Sequence, residues 1–283
     1  SKKILTNPIS DGREIATTHH SVKILKDLGV WSYISTQSIS EIKEARVLNG
    51  DSHYSLNFNH REIQKESLGY LIPNYLIRKK LYKRLKNIPN VTLLDRTECV
   101  SIDNSKQFSS ILLSNGKKIK ASLVVASDSR FSKMRSKMGI SAFIRDFDKN
   151  MIVCRMKHEK PHNNIAYEFF RYFQTQASLP YIKNQSSIIT TVPKDESSIL
   201  MKINKKKFDR EIQDNFNNFF GKMELIGKRY SYPMFTTYSK RFISHRFALI
   251  GDAAVGMHPV TAHGFKLGLK GLEILIKEIK SAI

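Results

Sequence analysis

At 283 residues with 41% apolar content, the chain can bury a substantial core as one large or two small domains. No run approaches the ~18 uncharged apolar residues of a membrane-crossing helix, and the start, Ser-Lys-Lys-Ile-Leu-Thr, has no apolar signal region. The net charge of +22, from 47 Lys/Arg against 25 Asp/Glu, is spread along the chain among Asn and Ile, with no recognised nucleic-acid motif, so no nucleic-acid partner is expected. Such charge also suits an anionic membrane surface. Cys99 and Cys154 lack metal-ligand spacing, which points to free thiols in a reducing compartment.

Asp11-Gly-Arg13-Glu-Ile-Ala16 leads into a helical pattern with Val22, Leu25 and Leu28 apolar and Gly29 as its stop. Residues 38–58 read as loop and strands, with Tyr54, Leu56 and Phe58 alternating, and Leu68 to Ile72 as a short strand. Pro73-Asn74 opens a helix to about Lys86, with Leu76, Ile77, Leu81 and Leu85 inward. Asn74 is by itself a good N-cap residue. Val91 to Leu94, Val100 to Ile102 and Ser110 to Leu113 read as strands, Asn115-Gly116 as a hairpin turn, and Ile119 to Ala126 as one longer strand. That strand ends at Ser127-Asp128-Ser129-Arg130, where Asp128 on its own reads as the N-cap of a helix over 130–137.

From Asp146 to Pro233 the pattern changes. Residues 151–156, 165–173, 187–192 and 199–203 read as antiparallel strands, with aromatics at Tyr167, Phe169, Phe170, Tyr172 and Phe173. Residues 208–220 read as a helix and 230–235 as a further strand. Such a sheet buries either an ordinary core or an aromatic, lipid-tailed substrate.

Phe247 to Ile250 is a buried strand by its apolar run, and it stops at Gly251-Asp252. A loop with Pro259 follows, then a helix from about His263 to Lys280, with Phe265, Leu269, Leu272, Ile276 and Ile279 on one stripe. Gly264, Gly268 and Gly271 weaken its start by roughly 1 kcal/mol each relative to Ala, which implies a close backbone or ligand. A carboxylate at a strand end beside a bare helix N-terminus suits a sugar-like hydroxyl and an anion. The plainer alternative is that Gly-Asp ends a strand and the glycines pack tightly.

Gly251-Asp252-Ala253-Ala254, His258-Pro259 and Gly264-Phe265-Lys266-Leu267-Gly268-Leu269 resemble the second FAD motif of class A flavin-dependent monooxygenases. More narrowly the chain resembles the ubiquinone-biosynthesis hydroxylases, nearest to the UbiM-type demethoxyubiquinol 5-hydroxylases. The resemblance implies an α/β (α+β) fold: a Rossmann-like FAD/NAD(P)-binding domain of the p-hydroxybenzoate hydroxylase type with an interleaved, mostly antiparallel substrate sheet. Residues 1–45, 70–140 and 234–283 would form the FAD domain, and 46–69 with 141–233 the substrate domain. None of the 13 glycines forms Gly-x-Gly-x-x-Gly, so the family's first βαβ phosphate-binding unit is expected to be missing, both ends to be short and FAD affinity to be weakened.

The resemblance further implies that Arg13, Asn74, Asp128, Gly251, Asp252, Pro259, Gly264, Phe265 and Lys266 bind FAD. Arg13 would reach the cofactor with its planar fork. Asn74 would contact the ribityl region. Asp128 would touch both FAD and the nicotinamide donor, although Ser129 replaces the family's usual Gly. Asp252 would hold the ribityl chain, and the loop and helix start would meet the flavin N1–C2=O edge. Lys266 stands where most relatives have Asn, and a cation there either favours reduced, anionic flavin or hinders its seating.

The implied activity is FAD-dependent hydroxylation of a polyprenylated phenol or benzoquinol through a flavin C4a-hydroperoxide, with NAD(P)H or another reductant as electron donor. No catalytic residue is singled out. The expected setting is cytoplasmic, peripheral on the inner face of a bacterial membrane, with a ubiquinone-biosynthesis protein complex as a further partner. The alternative from another class is a non-catalytic flavin-fold remnant acting as a binding protein. A metal site from Asp252, His258 and His263 is set aside, because five residues across a proline loop with no further acidic neighbour do not make a ligand set.

Overall fold

The structure, a computed structural model, describes residues 2–50, 52, 54–171, 174–259 and 262–282. Tyr172 and Phe173 of the aromatic cluster, and Val260 and Thr261 of the FAD-like motif, lie outside the described residues.

In chain order the helices are α1 (Lys2–Thr6), α2 (His19–Asp27), α3 (Asn74–Leu85), α4 (Lys133–Lys137), α5 (Lys194–Lys202), α6 (Lys205–Asn215) and α7 (Gly264–Ser281). The first strands are β1 (Glu14–Thr17), β2 (Ser40–Ile42), β3 (Glu44–Asn49), β4 (Ser55–Asn59) and β5 (Gly69–Pro73). Then come β6 (Cys99–Asn104), β7 (Ser109–Leu113), β8 (Lys118–Ala121), β9 (Val124–Ala126), β10 (Ala142–His158), β11 (Ile165–Phe170), β12 (Thr175–Pro180) and β13 (Gln185–Pro193). The last are β14 (Met223–Ser239), β15 (Ile243–Ser244), β16 (Phe247–Leu249) and β17 (Val255–Gly256).

The chain forms two compact units: one of residues 1–2, 90–147 and 235–283, the other of residues 3–89 and 148–234. β10 and β14 contribute residues to both. In the larger unit, β14, β10, β13, β12, β11, β3 and β4 lie side by side in that order. All pairings from β10 to β4 are antiparallel except the parallel β11–β3 contact. One face carries Ile152, Cys154, Met156, Tyr167 and Ile188, buried against Phe208 and Ile212 of α6 and Phe216 and Phe220 after it. This aromatic face is a core, as the plainer reading of the sequence has it. Burial pushes the Cys154 thiol up to about 12, and both cysteines are free.

Beside it, β1, β5 and β2 form a three-stranded antiparallel sheet. The expected FAD-domain residues 3–45 and 70–89 therefore group with the sheet residues by contact, a different division from that drawn on the sequence. Long-range polar links explain it: Arg155 Nη2 donates to Glu14 Oε1 at 2.6 Å, and the Tyr232 hydroxyl to the Asp11 carbonyl at 2.5 Å.

Four local expectations are corrected. Residues 91–94 form no strand, and Val91, Leu93 and Leu94 are exposed. The strand expected over 119–126 is two: β8 closes the β6–β7–β8 hairpin sheet, whereas β9 runs parallel to β16. Residues 199–203 are not a strand, because 194–202 form α5, which starts after Pro193 with Asp195 and Glu196 in its first turn and buries Ser197 and Leu200. Pro at a helix start and acidic residues at the positive dipole end outweigh the short apolar run. The helix expected to reach Phe220 ends at Asn215, where the following turn holds Asn217 and Asn218 at positive φ. β12 carried no sequence signal that stood out.

Candidate functional site

The smaller unit builds its site from two parallel strands. β16 is wholly buried, pairs with β9, and packs with Ala126, Ile140, Ala253 and Ala254. The Ile250 N–H continues the ladder to the Ala126 carbonyl at 3.0 Å. Both strands release a carboxylate just past their carboxyl ends: Asp128 after β9 and Asp252 after β16. Crevices outside strand carboxyl ends are where open α/β sheets bind ligands.

Gly251 turns the chain with φ +57°, a left-handed value that costs other residues roughly 1–2 kcal/mol. A 3-10 turn over Gly251–Ala253 follows and leaves the Asp252 side chain 46% exposed, its Oδ2 3.5 Å from Arg130 Nη2. A Cβ on Gly268 of α7 would lie 3.5 Å from the Gly251 Cα, an ordinary van der Waals contact, so backbone approach does not by itself demand a glycine there. Gly264 and Gly271 face open space.

α7 begins at Gly264 with no acidic residue in its first turn and no side-chain cap from His263. The first N–H groups of a helix have no intrahelical acceptor. Those of Gly264, Phe265 and Lys266 occupy that position, with Phe265 half-buried, Lys266 exposed, and Pro259 half-buried in the preceding loop. The expected apolar stripe of α7 has no fully buried member.

Asp128 is not the N-cap of the helix after it; Ser132 is, accepting from the Arg135 N–H at 2.9 Å. Asp128 instead accepts from the Ser132 hydroxyl at 2.6 Å and the Met134 N–H at 3.3 Å, so its carboxylate orders the turn. Arg135 lies in the helix expected over 130–137. Its guanidinium is buried, and Nη1 donates to the carbonyls of Arg130 at 3.1 Å and Ala253 at 3.0 Å. One side chain thus fastens the Asp128 turn to the Asp252 turn.

In the larger unit, Asp11 is a hub that sequence reasoning passed over. Arg13 donates to Asp11 Oδ2 through Nε at 3.1 Å and Nη2 at 2.7 Å, and lies 5.1 Å from the Tyr232 ring centroid. Asn74 is the first residue of α3 rather than its cap, and its amide donates to the same oxygen at 2.7 Å. Burial alone would raise the Asp11 carboxyl, but hydrogen bonds from Arg13 and Asn74, with the Arg13 charge, hold it below its ordinary range. Arg13 therefore spends two donors within the protein, while its side chain stays 40% exposed.

Glu168 on β11 is a second group without a sequence signal. It sits in a row with Val47, Leu56, Ala177 and Ile189. Burial among them raises its carboxyl to about 7. Among the described residues no cluster of three or more His, Cys, Asp or Glu can hold a metal ion. No described helix is long and apolar enough to cross a membrane.

A family model described as FAD binding domain matches residues 5–282, nearly the whole chain. The chain belongs to the FAD binding domain family. Over 99% of its length it is 40% identical to the ubiquinone hydroxylase UbiM of Neisseria meningitidis, of which it covers 61%. It is 31% identical to the ubiquinone hydroxylase UbiL of Rhodospirillum rubrum, over 96% of this chain and 63% of that protein. The chain thus spans under two thirds of the length of these relatives. Among solved structures, a probable FAD-dependent monooxygenase of Pseudomonas aeruginosa, PqsL, superposes with a TM-score of 0.74, at 15% identity, over 93% of this chain and 74% of that one. A 2-methyl-3-hydroxypyridine-5-carboxylic acid oxygenase superposes with a TM-score of 0.71, at 16% identity, over 91% and 69%. At those identities the likeness concerns fold, and the family's fold is the p-hydroxybenzoate hydroxylase type expected from the sequence.

Proposed function

We propose that this chain belongs to an FAD-dependent monooxygenase that hydroxylates the ring of a polyprenylated phenol or quinol in ubiquinone biosynthesis. The observation that carries the reading is 40% identity to a ubiquinone hydroxylase across 99% of the chain. The alternative of a non-catalytic remnant is not favoured by that likeness.

The residues present fit the flavin. The exposed Asp252 carboxylate can accept hydrogen bonds from ribityl hydroxyls, and Gly251 keeps the turn beside it free of a side chain. Gly264, Phe265 and Lys266 offer N–H groups at the positive end of an 18-residue helix, where negative charge on the isoalloxazine is favoured. Pro259 rigidifies the approach, and the Lys266 ammonium adds positive charge. Asp128 and Arg135 hold the neighbouring turn. Within the larger unit, Arg13 and Asn74 are both anchored on Asp11. FAD, when bound and reduced by NAD(P)H or another donor, supplies the oxygen chemistry. The chain's own work is to bind, orient and place charge.

The apolar sheet row around Glu168 suits a substrate with a hydrophobic tail. The net positive charge suits a setting on the cytoplasmic face of an anionic membrane, with a ubiquinone-biosynthesis protein complex as a further partner. The test is turnover: chain, FAD, NAD(P)H and a short-tailed demethoxyubiquinol analogue, with product read by mass. A product one oxygen heavier, labelled from 18O2 gas, supports the reading. Reductant consumption giving only hydrogen peroxide with every phenol and quinol offered would overturn it.

A further inference from the structure

One stretch of the chain carries positive charge with no acidic residue among it. The 17 residues from Asn74 to Asn90 contain Arg78, Lys79, Lys80, Lys83, Arg84 and Lys86 and no carboxylate. Some lysines elsewhere find acidic partners, as Lys205 does with Asp209 and Lys222 with Glu224. Among the described residues none of Lys80, Lys83 and Lys86 pairs with a carboxylate. Arg84 has a structural duty, donating from Nε to the Leu28 carbonyl at 3.1 Å, where a cation suits the end of α2. The same bond draws the last turns of α3 against the segment that follows α2.

That segment brings aromatics to the cations. Lys83 Nζ lies 4.6 Å from the Tyr33 ring centroid, and Lys26 Nζ 6.0 Å from that of Trp31. Leu28 beside them is 41% exposed. Lys80, three and four residues before Lys83 and Arg84, lies on the same side of α3. Half-buried aromatics, an exposed leucine and unpaired ammoniums together match the layered chemistry of a bilayer surface: anionic headgroups outside, an apolar boundary just beneath.

We propose that this face of the larger unit docks on the anionic headgroups of a lipid bilayer. A nucleic acid would supply the charge but would ask for a free aromatic face on which bases stack. Trp31 is already engaged edge-on by Tyr70, with ring centroids 5.8 Å apart, and capped by Lys26. Nothing in this surface depends on flavin binding.

Trp31 is the chain's single tryptophan, so its emission reports on this face without any substitution. The experiment adds phosphatidylcholine vesicles, with and without phosphatidylglycerol, to the full chain, and follows sedimentation and Trp31 emission. Binding confined to phosphatidylglycerol vesicles, weakened by salt and accompanied by a blue shift of Trp31, is expected. The triple variant Lys80→Glu, Lys83→Glu, Lys86→Glu should need about 100-fold more lipid for half-binding, since each cation near the surface contributes roughly a factor of five. The charge-matched triple Lys206→Glu, Lys207→Glu, Arg210→Glu on α6 should stay near wild type, and circular dichroism checks that both fold. Equal losses in the two triples, or an unshifted Trp31 on bound vesicles, would reduce the effect to diffuse charge and overturn the proposal. So would a lack of binding to phosphatidylglycerol, or α3-dependent capture of a single-stranded oligonucleotide with vesicle binding untouched.

Discussion

The two units build their candidate site residues in different chemical terms. In the smaller unit the site is made from backbone: strand ends, a left-handed glycine, a helix start and one exposed carboxylate. In the larger unit the corresponding residues form a side-chain relay, in which Asp11 gathers its near neighbour Arg13 and Asn74, 63 residues along the chain from Asp11. A backbone site writes itself into a short stretch of sequence, because glycines and the Asp must stand at fixed spacing. A relay leaves only ordinary polar residues, which sequence cannot connect. The comparison also separates their failure modes: the backbone site should break all at once, the relay in increments.

The largest effect is expected at Arg135. Replacing it with Ala frees the Asp128 and Asp252 turns from each other and leaves the Arg130 and Ala253 carbonyls without their cationic donor. A loss of about 3 kcal/mol in urea unfolding is expected, with FAD retention lost in the same variant. Gly251→Ala comes next. Open space surrounds that position, so only the left-handed backbone resists, and a cost near 1–2 kcal/mol is expected. A neutral result would mean that the turn relaxes.

Glu168 sharpens the comparison through pH. Its folded carboxyl titrates near 7, above the ordinary value of 4.5. The folded state therefore holds a proton that the unfolded state releases, and this stabilisation is complete below the unfolded value and lost as pH rises toward 7. Glu168→Gln should raise stability at pH 8 by on the order of 1–2 kcal/mol and change it little at pH 4. Equal effects at both pH values would remove desolvation as the cause.

The smallest change is expected at Asp11, whose folded value is depressed. Its contribution is present above the unfolded value of 3.8 and fades as pH falls through the lower, folded one. Asp11→Asn should cost about 1 kcal/mol at neutral pH, flatten the acid limb of the stability curve, and weaken FAD binding less than Arg135→Ala does.

Much of the fold was legible. β16, the turn after it and α7 were readable because an apolar run, Gly-Asp and a glycine-marked helix coincide. The hairpin around Asn115-Gly116 announced itself in the same way, with Gly116 at φ +79°. The misreadings share a cause: short apolar runs do not say which partner they find. Residues 119–126 are shared between two sheets, residues 199–203 complete α5, and residues 91–94 meet no strand. At the site, the spacing marked Asp128, Gly251 and Asp252 but could not reveal that Arg135 joins their turns, that Asp11 binds both Arg13 and Asn74, or that Glu168 lies in an apolar row. Each of those depends on pairing register or on contacts more than 60 residues apart.

The most direct test of the central claim is equilibrium FAD binding, read from the visible flavin bands after free cofactor is removed, for the wild-type chain beside Asp252→Ala and Lys266→Ala. Bound flavin in the wild type, a loss of at least about tenfold in affinity for Asp252→Ala, and a shift of Lys266→Ala toward preferring oxidised over reduced flavin would agree with the account. Flavin bound equally by all three proteins would place the cofactor elsewhere and contradict it.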